Sequence, residues 1–195
     1  MDTRLTELQE KMKKKLTESR YEHTVGVMYT AAALAMAHGE SVEKALYAGL
    51  LHDCAKCYSD EKKLALCEKF GIVLSRFELE NTALIHAKLG AVLAREKYGI
   101  EDEEICHAIK CHTTGSPDMS TLDKIIYIAD YIEPHREEAP NLFILRKLAF
   151  TDLDETMRII LTDTITYLGT KNKVVDPITE ETYGFYCNKA GEDRH

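Results

Sequence analysis

The 195-residue chain contains no tryptophan, only four prolines and only 8% aromatic residues. It has no run near the roughly 20 apolar residues that a membrane-spanning helix needs, and its first residues lack the continuous apolar segment of a secretory signal. Positive charge is also scarce, with 25 Lys and Arg against 33 Asp and Glu and a net charge of -8. That balance disfavours general nucleic-acid binding, which depends on neutralising phosphates. The sequence therefore predicts a protein with neither a membrane nor a nucleic-acid partner.

Length and cysteine placement predict one cytoplasmic domain. The chain has the size of an ordinary single domain, and we expect residues 1–195 to form one. Its six cysteines are scattered through helical patterns instead of being clustered as in a short secreted protein, so we expect reduced thiols in the cytoplasm. The lone C-x-x-C of Cys54 and Cys57 predicts two buried thiols. The oligomeric state is left open, and a homodimer is compatible with the sequence.

Hydrophobic periodicity predicts an all-α fold. Apolar residues recur at intervals of three and four, as in Leu122, Ile125, Ile126 and Ala129. Glycines after amphipathic stretches indicate helix ends, and serine or threonine before acidic residues indicates helix starts, which together predict about eight helices. The predicted ends are Gly39, Gly71, Gly99 and Gly169, and the predicted starts are Ser41, Ser59, Ser120 and Thr151.

Five segments place histidine or aspartate on an otherwise apolar helix face. A polar side chain in such a place needs a hydrogen bond, an ion pair or a metal to offset its desolvation. Imidazole and carboxylate together suit divalent iron, manganese, zinc or cobalt, whereas calcium and magnesium prefer oxygen ligands. Consecutive helical residues diverge by about 100°, so an adjacent His-Asp pair reaches one ion only near a helix end or between helices. The inward groups are His23, His52, Asp53, His86, His112 and Asp130.

The other four histidines are assigned no ligand role. His38 ends its helix before a glycine and is interpreted as a cap, and His107 has two glutamates one turn earlier and is interpreted as solvated. His135 lies in a loop, and His195 is terminal. The metal is therefore predicted to involve only the inward set.

Three cations flank the predicted metal residues. Lys56 stands one turn after the His-Asp pair, Arg20 stands one turn before His23, and Arg136 follows Asp130 through a Glu-Pro turn. Cations beside a metal favour a phosphate group as the ligand. The alternative for Lys56 is an ordinary exposed lysine.

These motifs resemble a known family. The order of a distant His23, the adjacent pair His52 and Asp53, and a later Asp130 is similar to the signature of the HD superfamily of metal-dependent phosphohydrolases. More narrowly, the chain resembles the YqeK family of symmetrical diadenosine tetraphosphate hydrolases from about residue 20 to positions 183–188. The segments that carry this resemblance are RYEHTVGV, AGLLHDCAK, LIHAKLGA, IKCHTTG and KIIYIADYIEPHR. The resemblance implies an HD-domain-type helical bundle.

The resemblance also implies a role for each site residue. His23, His52, Asp53 and Asp130 would bind one or two ions of iron, with manganese, cobalt and zinc as alternatives. His86 and His112 would contact phosphate or complete a second metal position. The implied substrate contacts are Arg20, Lys56, His86, His112, Thr113, Asp130 and Arg136, with Thr170, Lys171, Asn172, Lys173, Val174 and Val175 near the nucleoside.

The implied reaction is hydrolysis of a dinucleoside polyphosphate, diadenosine tetraphosphate, to two ADP by a metal-bound hydroxide. Asp53 would orient or deprotonate the water, and Lys56, His112 and Arg136 would help to stabilise the departing nucleoside diphosphate. An HD-type nucleotidase or deoxynucleoside triphosphate hydrolase is the alternative enzyme. A nucleotide-binding regulatory module without turnover is the alternative outside enzymes.

Overall fold

The chain folds into helices joined by short loops. The computed structural model describes residues 3–192, with side chains to residue 188. Within that range it has eleven α-helices, one 3-10 helix and no β-strand, which confirms the predicted all-α class. In chain order the helices are α1 (Thr3–Lys15), α2 (Glu18–His38), α3 (Val42–Leu51), α4 (Asp60–Lys69), α5 (Arg76–Glu80), α6 (Ile85–Glu96), α7 (Glu103–Cys111), α8 (Thr121–Ile132), α9 (Leu142–Leu148), α10 (Leu153–Thr170) and α11 (Pro177–Glu192), and the 3-10 helix Thr82–Leu84 lies between α5 and α6.

Side-chain caps begin several helices at the predicted serines. Ser41, Ser59 and Ser120 each accept a hydrogen bond from the backbone N–H three residues later, at the starts of α3, α4 and α8. These bonds satisfy N–H groups that the first helical turn leaves without a partner. Helix α10 begins one residue later than predicted, because Asp152 and not Thr151 supplies its cap.

Glycines end some helices, but one predicted end is wrong. Gly39, Gly71 and Gly99 adopt positive φ angles of 68°, 64° and 69° just beyond α2, α4 and α6. Helix α10 instead continues past Gly169, and the left-handed residue that follows it is Asn172, with φ 51°. Helices α5 and α9 span only five and seven residues and lack a glycine stop, so the chain holds more helices than the glycines indicate.

Helices α2 and α3 approach closely at Gly49. A Cβ atom at Gly49 would lie only 2.8 Å from Cα of Met28, so any larger residue would push the two helices apart. His52 follows α3 directly, and His23 lies on α2. The close contact of the two helices therefore brings His23 and His52 near each other.

Helix α8 is the most enclosed element of the bundle. Ile125, Ile126 and Ile128 have no exposed surface although they point in different directions around the helix. Each such residue contributes about 1.5–3 kcal/mol through burial. Asp130 therefore extends from a helix whose position is set by packing on several sides.

Helices α8 and α10 run side by side in the same direction. Near their starts, Nζ of Lys124 on α8 lies 2.8 Å from Asp154 on α10. Near the end of α8, burial and then the neighbouring carboxylate of Asp163 on α10 raise the pKa of Tyr131. The last turns of α10 thus extend beyond the end of α8 that carries Asp130. None of the described helices is both long enough and apolar enough to span a lipid bilayer.

The cysteines are unpaired within the part of the chain that the structure describes. Cys54 is buried as predicted, but Cys57 is exposed. The prediction of a buried Cys57 is wrong because α3 ends at Leu51, so helical periodicity does not extend to residue 57.

Candidate active site

Six side chains from five helices meet in one buried cluster. His23 and Asp130 lie within α2 and α8, whereas His86 is the second residue of α6. His52 and His112 are the residues that terminate α3 and α7. Asp53 lies two residues beyond the end of α3. At a helix end, the adjacent residues His52 and Asp53 can both reach one ion. This histidine–aspartate cluster comprises His23, His52, Asp53, His86, His112 and Asp130.

Three of the histidines have a defined tautomer. Nδ1 of His52, His86 and His112 lies 2.7, 2.5 and 2.6 Å, respectively, from the carbonyl oxygen three residues earlier. A carbonyl oxygen only accepts hydrogen bonds, so Nδ1 carries the proton in each ring. Each Nε2 atom therefore presents a lone pair to the centre of the cluster, as a metal-binding histidine does.

The centre of the cluster holds more lone pairs than donors. Nε2 atoms of His86 and His112 are 3.1 Å apart, and each lies 3.4 Å from Oδ1 of Asp53. Nε2 of His52 and Oδ1 of Asp53 are buried without a hydrogen-bond partner in the described part of the chain. The Thr113 hydroxyl, 3.1 and 3.0 Å from the paired Nε2 atoms, supplies a single proton. Such a set of buried acceptors fits a divalent cation.

Two overlapping triads have ligand atoms spaced for a metal ion. His23, His52 and Asp130 form one, and His52, Asp53 and His112 form the other, with all ligand atoms of a triad within 4.8 Å of one another. Nε2 of His23 lies 3.0 Å from Oδ1 of Asp130. His52 belongs to both triads, so the geometry accommodates one ion or two.

Burial and charge keep these groups in the protonation states that bind metal. Burial lowers the pKa of His52 to about 4 and that of His86 to about 3, so both rings are neutral near pH 7. Burial opposes ionisation of Asp53 and Asp130, but the ammonium of Lys56 beside Asp53 and the hydrogen bond from His23 to Asp130 help to hold both carboxyl pKa values well below the usual range. Neutral imidazoles and ionised carboxylates are the forms that coordinate metal.

Two predicted cations border the cluster, and a third is nearby. Nζ of Lys56 lies 2.8 Å from Oδ2 of Asp53, and a guanidinium nitrogen of Arg136 lies 3.1 Å from Oδ1 of Asp130. Their side chains are 28% and 45% exposed, so both connect the cluster with solvent. Arg20 is exposed one turn before His23, and no hydrogen bond or ion pair of its side chain is found among the described residues.

The segment predicted to approach the nucleoside begins at Thr170, the last residue of α10, and continues into the loop that follows. Thr170, Lys171, Asn172, Lys173 and Val174 are exposed, and Val175 is half-buried. The hydrogen bonds of this segment within the described chain are local, such as that from the Thr170 hydroxyl to the carbonyl of Tyr167. The direction of α10 carries the loop to the end of the bundle where Asp130 lies, but no described bond joins it to the cluster.

The histidines outside the cluster have other partners. His38 ends α2, and its Nε2 donates to the carbonyl of Ala149 at 2.7 Å, linking α2 to the end of α9. His107 is exposed, in agreement with its interpretation as solvated, and its Nδ1 also lies 3.0 Å from both carboxylate oxygens of Asp123. His195 lies outside the described residues.

Glu133 is a site residue that the helical pattern did not identify. It lies at the end of α8 with only 1% of its surface exposed, and its carboxylate accepts a hydrogen bond from Nδ1 of His23 at 3.1 Å. Its position three residues after Asp130 places both on one helix face, and this spacing was the available signal.

Arg146 on α9 binds the backbone of the loop that carries Glu133 and Arg136. Its guanidinium donates to the carbonyl oxygens of Ile132, Glu133 and Arg136 at 2.9, 2.8 and 2.8 Å. Hydrogen bonds from a charged donor are among the stronger ones in proteins. One side chain thereby holds the backbone of two residues that face the cluster.

Known proteins show the same domain. The HD domain family model matches residues 20–135, a range that contains the whole histidine–aspartate cluster. A "Bis(5'-nucleosyl)-tetraphosphatase, symmetrical" from Halalkalibacterium halodurans is 42% identical over 172 residues, covering 88% of this chain and 91% of the relative. A protein of the same name from Bacillus subtilis is 43% identical over 176 residues, covering 89% of this chain and 92% of the relative.

A solved structure supports the same grouping. The crystal structure of a "predicted HD superfamily hydrolase involved in NAD metabolism" from Clostridium acetobutylicum superposes with a TM-score of 0.91 at 40% identity, covering 94% of this chain and 97% of that one. Sequence and fold thus agree over nearly the full length. The chain therefore belongs to the HD domain family and, within it, groups with the bacterial symmetrical bis(5'-nucleosyl)-tetraphosphatases.

Proposed function

We propose that this protein is a metal-dependent phosphohydrolase that cleaves diadenosine tetraphosphate symmetrically into two ADP. The observation that carries the proposal is the buried set of lone pairs around His52 and Asp53, bordered by the ammonium of Lys56 and the guanidinium of Arg136. The first group suits a divalent cation, and the second suits phosphate oxygens. The names of the relatives in H. halodurans and B. subtilis supply the substrate class.

We assign the metal to His23, His52, Asp53 and Asp130, with iron as the ion and manganese, cobalt or zinc as alternatives. When bound, a divalent cation polarises phosphoryl oxygens and makes water acidic enough to attack near neutral pH. Neutral imidazole with carboxylate suits any of these ions. His86 and His112 complete a second metal position or contact phosphate, since both Nε2 atoms face Asp53.

Asp53 orients the attacking water. Its two oxygens lie in different settings: Oδ1 faces the paired imidazoles, whereas Oδ2 accepts from Lys56. The depressed pKa keeps the carboxylate ionised and able to accept a hydrogen bond from water. In this arrangement the carboxylate positions the water, and the buried imidazoles around it exclude competing solvent.

The cations bind the phosphate chain of the substrate. Lys56 and Arg136 each contact a cluster carboxylate and also reach solvent, so a polyphosphate can approach both. The net charge of the protein is -8, so an anionic substrate needs positive charge close to where it binds. Lys56 and Arg136 supply that local positive charge. Arg20 and Thr113 add phosphate contacts, and residues 170–175 contact one nucleoside.

The pattern of products tests this proposal. Metal-loaded protein incubated with diadenosine tetraphosphate is expected to yield ADP as the only nucleotide product, measured by ion-exchange chromatography. AMP with ATP would contradict symmetrical cleavage. Faster turnover of deoxynucleoside triphosphates would favour a nucleotidase, and binding without any product would indicate a regulatory module.

Replacing Lys56 with alanine should lower kcat by about 10²-fold without loss of metal. The reason is that the ammonium stabilises charge that develops on the departing diphosphate, and one such donor is worth roughly this factor. Steady-state kinetics and metal analysis of the same preparation measure both quantities. Lys62→Ala is the matched control, because Lys62 is exposed on α4. Unchanged turnover in Lys56→Ala would remove Lys56 from the mechanism.

We also propose that the protein acts in the cytoplasm. All six cysteines are free in the described chain, and free thiols persist in a reducing compartment. Nucleotide substrates are present there as well. Fractionation of cells that express the protein at native levels would test the location.

A further inference from the structure

We propose that Glu133 is a positioning residue of the metal centre, which fixes the ring of His23 so that Nε2 faces the ion. The inference rests on the proposed function, because it requires His23 to be a metal ligand. It adds a residue outside the predicted ligand and substrate set. Three features of the structure support it: the hydrogen-bonding of His23, the space left by Gly26 and the anchoring of the Glu133 backbone.

His23 lacks the backbone partner that the other cluster histidines use. His52, His86 and His112 lie at or near helix ends, and each donates from Nδ1 to the carbonyl three residues earlier. His23 is the sixth residue of the 21-residue α2, where neighbouring carbonyls accept from the helix backbone itself. A side-chain acceptor must therefore take the Nδ1 proton of His23, and Glu133 is that acceptor.

The carboxylate of Glu133 has a specific arrangement. Oε1 accepts from Nδ1 of His23 at 3.1 Å, and Oε2 accepts from the backbone N–H of His135 at 2.7 Å. An ionised carboxylate only accepts, so the proton of His23 stays on Nδ1. Nε2 lies 3.0 Å from Oδ1 of Asp130, inside the first metal triad, so metal binding at Nε2 takes place while Glu133 holds the proton on Nδ1.

Gly26 leaves the space that this carboxylate occupies. Gly26 lies three residues after His23 on the same face of α2, and a Cβ atom built there would clash with Oε2 of Glu133. Glycine inside a helix costs about 1 kcal/mol relative to alanine. The close approach of Glu133 gives a physical reason for a glycine at this position.

The backbone of Glu133 is held independently of its side chain. Arg146 donates to the carbonyl oxygen of Glu133 at 2.8 Å and to those of the residues on either side of the turn. Replacing the Glu133 side chain therefore leaves the turn anchored by Arg146. A change in metal affinity is then attributable to the carboxylate.

We expect Glu133→Ala to weaken metal affinity by about 10- to 100-fold, the usual effect of losing the partner of a metal-bound histidine. Glu133→Gln should lose less, because its amide oxygen can still accept from Nδ1. The measurement is competition between the protein and a chelator for Mn²⁺ or Co²⁺, with circular dichroism to verify folding. If the alanine variant does not fold, the glutamine variant and Gly26→Ala, which should also weaken binding, decide the question.

Two comparisons separate positioning of His23 from general structural damage. Glu78 is another buried glutamate, used to cap α5 and to pair with Lys88, and Glu78→Ala should leave metal affinity unchanged. In a His23→Ala background, Glu133→Ala should cause no further loss of affinity. Equal losses in both backgrounds, or wild-type affinity in Glu133→Ala, would overturn the inference.

The outcome also separates this inference from the proposed function. If the wild-type protein binds metal and cleaves diadenosine tetraphosphate but the Glu133 variants bind metal equally well, only the role of Glu133 fails. If the wild-type protein binds no divalent metal, the proposed function fails first. Nitrogen-15 NMR of the protein loaded with diamagnetic Zn²⁺ adds a further readout, since the Nδ1–H of His23 should show a hydrogen-bonded shift in the wild type and lose it in Glu133→Ala.

Discussion

Asp53→Ala is expected to abolish metal binding and to lower phosphohydrolase activity by at least about 10³-fold. Asp53 supplies the buried carboxylate beside three imidazoles, and its removal leaves the Nε2 atoms of His86 and His112 facing one another with no carboxylate beside them and Asp130 as the remaining anionic ligand of the cluster. The substitution removes both the charge that attracts a cation and the group that orients water, so its effect exceeds that of one donor. Metal content per chain and the rate of ADP release measure the two losses.

Two further variants define the cause of these losses. Asp53→Asn keeps the shape of the side chain but removes its charge, so we expect a large loss of metal affinity with a preserved fold. Asp163→Ala is the matched control, because Asp163 pairs with Asn141 outside the cluster. Normal metal content in Asp53→Ala would contradict the assignment of the ligand, and normal activity would contradict the mechanism.

Removing the metal is expected to destabilise the protein as well as inactivate it. A ligand that binds only the folded state at 100 times its Kd adds about 2.7 kcal/mol of stability, which corresponds to a Tm change of about 5–10 °C for a domain of this size. The physical reason lies in the cluster, where Nε2 of His52 and Oδ1 of Asp53 otherwise stay buried without donors. Differential scanning calorimetry before and after chelation measures the shift.

Restoring the metal provides the control for this experiment. Adding back Fe²⁺ under anaerobic conditions should recover both Tm and activity, and a series with Mn²⁺, Co²⁺ and Zn²⁺ should identify the preferred ion. Asp53→Ala should melt at the same temperature with and without metal. A wild-type Tm that does not respond to chelation would contradict a metal held by the cluster.

Helix class and local helix starts could be predicted because they depend on neighbours in sequence. The three- and four-residue spacing of apolar side chains indicates which face of a helix is buried, and it correctly placed Ile125 and Ile126 in the core. Serine caps at Ser41 and Ser120 depend on bonds across a single turn. The glycine prediction failed at Gly169, where the local signal does not specify whether a helix stops.

The same local pattern identified the polar members of the site but not their partners. His52 and His112 were expected to face inward, and the structure shows both buried. The contact of His107 with Asp123 joins α7 to α8, and the contact of His23 with Glu133 joins α2 to the end of α8. Neither follows from helical periodicity, because the paired residues are 16 and 110 positions apart. The roles of the cluster residues in metal and substrate binding remain predictions.

The sequence alone determined that the chain is helical, that four histidines and two aspartates lie on apolar faces, and that cations flank them. It could do so because side-chain direction along a helix follows from position. Only the tertiary structure decided that the Nε2 atoms of His52, His86 and His112 converge to within 3.5 Å of Asp53, that Gly26 makes room for Glu133, and that Arg146 holds the turn. These contacts depend on how separate helices pack, and packing brings together residues that are far apart in the chain.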